Sequence, residues 1–371
     1  MNAARRWAAS LLLALGAVSA LIGLLAPPSG AMPRYSARYQ QQCALCHVNP
    51  TGGGLRTAYA SQKLVPKEIA WSKGDTTYKM PDPMIGKQLL IGTDFREMHV
   101  GSDQQSQRLD FFLMQADLYF AFALEPRVTL YYDRGRFDSY ELFGLGYLRP
   151  TVFLKAGRFV PSYGWKFDDH TMYVRGELGF MPPANSDVGV EAGWSPASAD
   201  IQVDVVNGSR GSTSDTDPGY AESVNGVYRW HVGPVGAAIG GSGYHHPTTL
   251  QDEDTYGPYG YLTYQRVTWI GEGDIRRQRD KGSPYVESVV ASHELSYALT
   301  QGFDLMGTYD FFDPDRKHGT GAKSRWGGGL FFMPRPYMTL QGIARRTTYE
   351  NGVAYSGTDF WEYLFQLHLL Y

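Results

Sequence analysis

Two cysteines stand three residues apart in Cys43-Ala44-Leu45-Cys46-His47, and they are the only cysteines in the chain. Thiols at this spacing, with a histidine directly after the second, form the attachment pattern of a c-type haem. Each sulfur would add across a porphyrin vinyl group to form a thioether, and His47 would give the iron its proximal nitrogen. A thioredoxin-like redox pair shares the CxxC spacing but needs a βαβ setting, and the surrounding sequence has no such alternation. One haem c per chain is therefore expected, attached at Cys43 and Cys46 with His47 on its iron. Pro50 and the triplet Gly52-Gly53-Gly54 follow closely. They should end the helical turn and form a tight loop, where the missing Cβ lets backbone approach the porphyrin.

The elements that must hold this motif are short. Tyr35, Tyr39 and Leu45 have roughly helical spacing, which predicts a helix leading into the motif, with a second over 55–63. The iron needs a second axial ligand or an open site. Thr77-Tyr78-Lys79-Met80-Pro81 resembles the Met-Pro loop that carries the distal sulfur in many monohaem c-type cytochromes. That resemblance makes Met80 the candidate distal ligand, with Met84, Met98 and His99 as competitors. A Met ligand would raise the reduction potential relative to two histidines. Residues 32–86, taken as a monohaem cytochrome c-like segment, make a marginal core alone, so haem and a surrounding wall should complete it.

Residues 1–31 read as a signal peptide. Arg5-Arg6 form a positive start, an apolar stretch runs from Ala8 to Leu25, and Ser29-Gly30-Ala31 offers small residues for cleavage before Met32. An uncleaved transmembrane anchor is the competing reading, since the apolar stretch is near the shortest spanning length. Export suits a covalent haem, which bacteria attach outside the cytoplasm.

From Lys87 to Tyr371 no long helical period appears, and short alternating segments recur between turn residues. Phe112, Met114, Ala116, Leu118, Phe120 and Phe122 share one face, with Gln115 and Asp117 on the other. The last segment puts Trp361, Tyr363, Phe365, Leu367, Leu369 and Tyr371 on one face, opposite Glu362, Gln366 and His368. About sixteen such segments can be counted, an even number as bacterial single-chain barrels have. Their connections alternate between tight turns, such as Glu125-Pro126 and His231-Val232, and longer polar stretches, such as residues 160–186, 208–221 and 246–254. Short periplasmic turns and long external loops are the mark of an outer-membrane barrel.

Composition agrees. There are 43 Gly, 26 Tyr, 18 Phe and 8 Trp, yet charged residues make up only 19%, as expected where apolar lipid-facing residues alternate with polar lumen-facing ones. With a net charge of −3, nothing points to a nucleic-acid partner. Inward positions carry both signs, at Asp117, Asp133, Lys155, Glu191, Asp204, Asp274 and Arg345, which argues against a pore tuned to one sign of ion. They are expected to meet lumen water. The loop 160–186, containing Asp168-Asp169-His170, is long enough to fold over the mouth or into the lumen. His245-His246 and Asp252-Glu253-Asp254 offer imidazole and carboxylate for a divalent transition metal in another loop.

The fold expected is thus all-β, a transmembrane antiparallel barrel over 87–371 preceded by a short, mostly α-helical haem segment. Taken together, the signal peptide, the single CxxCH and the terminal barrel make the chain resemble the fused monohaem cytochrome–porins of bacterial outer membranes, a group that includes outer-membrane iron oxidases. Only Cys43, Cys46 and His47 match at motif level. The resemblance implies electron uptake from an extracellular donor, typically ferrous iron, and delivery to a periplasmic c-type cytochrome, in a chain bedded in outer-membrane lipid. Two other functions fit parts of the chain: a diffusion porin for small solutes with an accessory haem segment, and an open-site haem enzyme or gas sensor.

Overall fold

The computed structural model describes residues 33–71, 80–103, 109–135, 140–180, 185–212, 215, 219–317, 321–350 and 359–371. The expected signal peptide lies outside them, as do Thr77, Tyr78 and Lys79.

Seventeen strands follow in order: β1 Met84–Ile85, β2 Leu89–Ser102, β3 Leu109–Glu125, β4 Val128–Arg134, β5 Tyr140–Arg149, β6 Val152–Phe159, β7 Asp187–Trp194, β8 Ala199–Val206 and β9 Ala221–Val232. The series continues with β10 Val235–Pro247, β11 Gln251–Tyr264, β12 Val267–Asp280, β13 Val286–Thr300, β14 Phe303–Asp313, β15 Lys323–Arg335, β16 Met338–Tyr349 and β17 Phe360–Leu370. From β2 onward each pairs antiparallel with the next, and β17 returns to pair with β2, Leu369 opposite Phe95. β2 to β17 therefore form a closed barrel of 16 strands, the arrangement that leaves no unpaired edge in the bilayer. β1 is a short extra rung on β2, so sheet pairing begins inside the stretch assigned to the haem segment.

Alternation explains why each strand lies as it does. Leu118, Phe120, Phe122 and Leu124 of β3 are exposed while Asp117, Tyr119 and Ala121 are buried. On β17 Trp361, Tyr363 and Phe365 face outward and Gln366 and His368 inward, as expected from the sequence. Tight turns join β3 to β4, β5 to β6 and the later pairs to β15–β16 at one end, and the longer connections lie at the other. The 246–254 stretch departs from expectation. β10 and β11 extend through it, with His245 opposite Asp254, so it is a tall hairpin rather than a loop.

The lumen is filled from both ends. Helix α1 Pro33–Tyr39 enters at the short-turn end. Arg34 reaches Glu294 of β13 at 2.6 Å, and Arg38 reaches Asp304 of β14 at 2.8 Å. Gln40 adopts a positive φ of 57° and ends α1 before the motif, so the single expected helix is divided into α1 and a 3-10 turn, Cys43–Leu45. The second helix also differs from its expected 55–63 span. It is a π-helix over Ala60–Ile69 containing Pro66. Proline donates no backbone hydrogen bond and crowds the carbonyl four residues back, and the wider turn accommodates this; Ala70 N donates to Val65 O at 2.9 Å. The segment is tied to the turns of that same end: Gln301 donates to Ala70 O at 2.7 Å, Arg56 to Pro336 O at 3.0 Å, and Gln42 to Ala199 O at 3.2 Å.

From the long-loop end, residues 160–180 fold inward through the short helix α2 Tyr173–Gly176. A non-helical loop in a lumen carries backbone N–H groups that need acceptors, and the barrel wall supplies carboxylates. Val160 N donates to Glu141, Ser162 N to Asp204, Trp165 N to Glu272 and Tyr173 N to Asp310, at 2.6–3.1 Å. This corrects the expectation that inward charges mainly meet water. Asp204, Asp274, Lys155, Glu191 and Arg345 are at most 2% exposed, because the loop and the N-terminal segment cover them.

Candidate functional site

Where the two plugs approach one another they leave a cavity with about 1600 Å³ of empty space, counted out to its open mouth. Cys43, Cys46 and His47 line it together with Lys166, His170 and Arg175 of the inserted loop.

Local hydrogen bonds place the motif. In the 3-10 turn Cys46 N and His47 N both donate to Cys43 O, at 3.1 and 2.9 Å. Val48 N donates to Leu55 O and Thr57 N to Cys46 O, closing a small hairpin in which His47 bridges to Arg56. Its tip is the glycine triplet, all at positive φ. A Cβ on Gly54 would lie 2.2 Å from the Tyr131 hydroxyl, and one on Gly52 would lie 3.2 Å from Cys43 Sγ. The Tyr131 hydroxyl also accepts a hydrogen bond from Leu55 N at 3.2 Å. Gly54→Ala combines left-handed backbone strain, costing about 1–3 kcal/mol, with that close contact. It should lower thermal stability measurably by circular dichroism, whereas Gly53→Ala, whose Cβ meets only Lys166 at 3.9 Å, should carry the backbone cost alone.

The electrostatics of the motif follow from burial. Cys43 and Cys46 form no disulfide, and burial raises both thiols, Cys46 to about 12, so both stay protonated at neutral pH. Burial, with the Arg56 charge adding to it, lowers His47 to about 4. Its ring is therefore neutral, the form that binds metal. His47 Nδ1 lies 3.3 Å from Gly54 O. A carbonyl oxygen only accepts, so Nδ1 carries the proton and Nε2 is left for a ligand, the usual way a metal-binding histidine is oriented.

Three cations surround the same space. Arg56, Lys166 and Arg175 line it, and none has a carboxylate within ion-pair distance among the described residues. Arg175 is 3% exposed and its Nε has no hydrogen-bond partner, while Lys166 Nζ donates only to the loop at Thr51 and Gly52. Arg175 Nη1 donates to Trp165 O and Arg56 to Pro336 O, so what these cations lack is a counter-charge; that lack is costly away from water, and a dianionic ligand would offset it. A haem brings two propionates together with an apolar ring, for which Tyr35, Val65, Ile69, Trp165 and Phe167 provide apolar wall. Two free thiols, a neutral imidazole and unmatched positive charge fit that group.

The competing ligands are placed elsewhere. Met80 is partly buried beside Pro81, whose carbonyl accepts from the Tyr371 hydroxyl, and it does not line the cavity. Met84 lies in β1, Met98 is buried in β2, and the His99 ring packs on Phe111 at 4.3 Å, away from the cavity. Sequence reading drew attention to Asp168-Asp169-His170 as a loop feature, but not as part of this cavity. The signal available was the density of aromatic residues in the same loop, Tyr163, Trp165, Phe167 and Phe180, all buried. In the β10–β11 hairpin, Asp252 pairs with Arg279 at 2.7 Å and Glu253 with Arg210 at 2.6 Å. Among the described residues no group of three or more His, Cys, Asp or Glu is arranged to hold a metal ion.

The fold is a closed, porin-like 16-strand β-barrel whose lumen is occupied by its own chain. The anion-selective porin from Comamonas acidovorans is similar in fold, with a TM-score of 0.56 at 8% identity, over 76% of this chain and 99% of that one. Pseudomonas putida OprB gives 0.61 at 9% identity, over 76% and 94%, and OmpT of Vibrio cholerae gives 0.55 at 10% identity, over 76% and 97%. At such identities the likeness is one of fold. No protein-family model and no curated protein matches the chain.

Proposed function

We propose that this protein is an outer-membrane electron conduit carrying one c-type haem inside a plugged barrel. The observation that carries the reading is the position of Cys43, Cys46 and His47 in a lumen cavity bordered by an N-terminal segment from the short-turn end and a folded loop from the long-loop end. Cys43 and Cys46 would hold the haem through thioethers, each thiol hydrogen going to the adjacent vinyl carbon as the S–C bond forms, and His47 would bind the iron. The bound group supplies a one-electron iron couple, reducible from one side and oxidisable from the other. Arg56, Lys166 and Arg175 balance the propionates, and the aromatic wall keeps bulk water from the ring. Short turns mark the periplasmic end of such barrels, so a periplasmic c-type cytochrome is the proposed acceptor. An extracellular donor, with ferrous iron the first to test, would approach through the long loops.

A distance argument supports the arrangement. The apolar band of an outer-membrane barrel is about 25 Å tall, too far for useful tunnelling from a haem wholly in the periplasm to an impermeant donor. Purified protein should give one covalent haem per chain by pyridine haemochrome assay and mass, and ferrous iron should reduce it in anaerobic stopped flow. Failure to reduce at any accessible pH removes iron as donor, and absence of covalent haem removes the proposal.

The second reading, a diffusion porin for small solutes, is favoured by the fold likeness to the anion-selective porin. The filled lumen weighs against it. In planar bilayers the intact protein should conduct far less than an open 16-strand porin, and porin-like conductance would restore the diffusion reading.

A further inference from the structure

We infer that His170, rather than Met80, would supply the haem iron with its second protein ligand, so that the inserted loop as well as the N-terminal segment would hold the group. This rests on the proposed haem. His170 lines the same cavity as Cys43, Cys46 and His47. Its neighbours are each fixed to the barrel wall by a guanidinium. Arg96 holds the Asp168 carboxylate at 3.1 Å and its carbonyl at 3.0 Å, Arg345 holds the Asp169 carboxylate, and Arg325 donates to Thr171 O at 2.6 Å. The backbone on both sides of residue 170 is thus clamped. The imidazole itself makes no hydrogen bond among the described residues and is only partly covered. The anchored backbone places the side chain on the cavity with a ring nitrogen available to a ligand.

The other cavity-lining imidazole, His368, is a poorer candidate. It is 1% exposed, stands on the rigid β17, and its Nε2 lies 2.8 Å from Asp94 Oδ1. Met333 also borders the cavity but is 0% exposed. Ligation by His47 and His170 would join the N-terminal segment to the external loop through one iron, tying the two plugs together. It would also set a lower potential than a His–Met pair.

The experiment is ligand replacement read by spin state on the full-length, haem-loaded protein in detergent, with barrel folding checked by heat-modifiable gel mobility and haem content by pyridine haemochrome. Wild type should be low-spin in both oxidation states and lack a near-infrared sulfur-to-iron band. His170→Ala should keep one covalent haem, change from essentially all low-spin to predominantly high-spin, bind carbon monoxide when reduced, and return to low-spin with added imidazole. His170→Met should restore six-coordination with a sulfur-to-iron band and a raised potential. A low-spin His170→Ala protein, or a Met80→Ala or His368→Ala protein that turns high-spin while His170→Ala does not, overturns the assignment and leaves the haem conduit standing. A folded wild type without covalent haem overturns both.

Discussion

Replacing both motif thiols, Cys43→Ser with Cys46→Ser, should yield a folded barrel with no covalent haem and no donor-driven reduction of a periplasmic cytochrome. The wall does not depend on the motif. Its ladder runs from β2 to β17 and closes on itself without residues 33–71. The N-terminal segment also has its own anchors in Arg34–Glu294 and Arg38–Asp304, both buried. Serine is nearly isosteric with cysteine and preserves the local hydrogen bonds of the 3-10 turn, which run between main-chain groups and from Thr57 Oγ1 to Leu45 O and use neither thiol. The effect should therefore fall on the cofactor alone: haem absorbance lost from the denatured, washed protein, heat-modifiable mobility unchanged, and electron transfer into proteoliposome-enclosed cytochrome c reduced to background. His47→Ala should differ. The thioethers could still form, but the iron would lose its proximal nitrogen and the spectrum should become high-spin. Wild-type electron transfer in the double serine variant would rule out the conduit.

The second large effect is expected at Lys155. Lys155 Nζ lies 2.8 Å from Glu191 Oε1, both side chains are 0% exposed, and Lys155 is the only cation within ion-pair distance of Glu191 among the described residues. The same ammonium stands 4.4 Å from the centroid of Phe159 and 3.4 Å from Asn49 Oδ1 of the motif loop, so it joins barrel wall, aromatic cluster and plug. Lys155→Met keeps the bulk but leaves Glu191 buried without a counter-charge, beside the equally buried Asp204 on β8 that pairs with it across the ladder. Breaking a buried pair from one side typically costs about 3–5 kcal/mol, whereas replacing both members by neutral groups is often close to neutral. Lys155→Met should lower the unfolding free energy of the detergent-folded protein, read from guanidinium titration, by that amount, and Lys155→Met with Glu191→Gln should recover most of it. Equal loss in single and double variants would show that the cost comes from the other contacts of Lys155 and not from an uncompensated Glu191 charge.

The wall is porin-like in fold, and its interior is occupied by the chain's own loop. An open diffusion pore needs its inward charges wetted. Here the carboxylates of Glu141, Asp204, Glu272 and Asp310 are occupied by loop backbone N–H groups. Removing the plug would take a backbone partner from each of these carboxylates, although Asp310 would keep Arg325 and Asp204 would keep Ser223, so the filled lumen is part of the folded state rather than an accessory to it.

Sequence alone determined the wall. Side chains alternate with period two along any strand, so β3 and β17 reveal their lipid faces without knowledge of their neighbours, and proline, glycine and polar clusters mark where strands end. The CxxCH motif was legible for a similar reason, since its chemistry depends on five consecutive residues. Tertiary structure alone decided what fills the lumen. Strand alternation separates inside from outside but does not say whether an inward acid such as Asp310 meets water, a guanidinium or the backbone of Tyr173. That depends on contacts more than a hundred residues apart in the chain, which carry no local period. For the same reason Met80, nearer in sequence and in a familiar Met-Pro setting, was legible as a ligand candidate, while His170 lines the motif's cavity only because Arg96, Arg325 and Arg345 fix its loop inside the barrel.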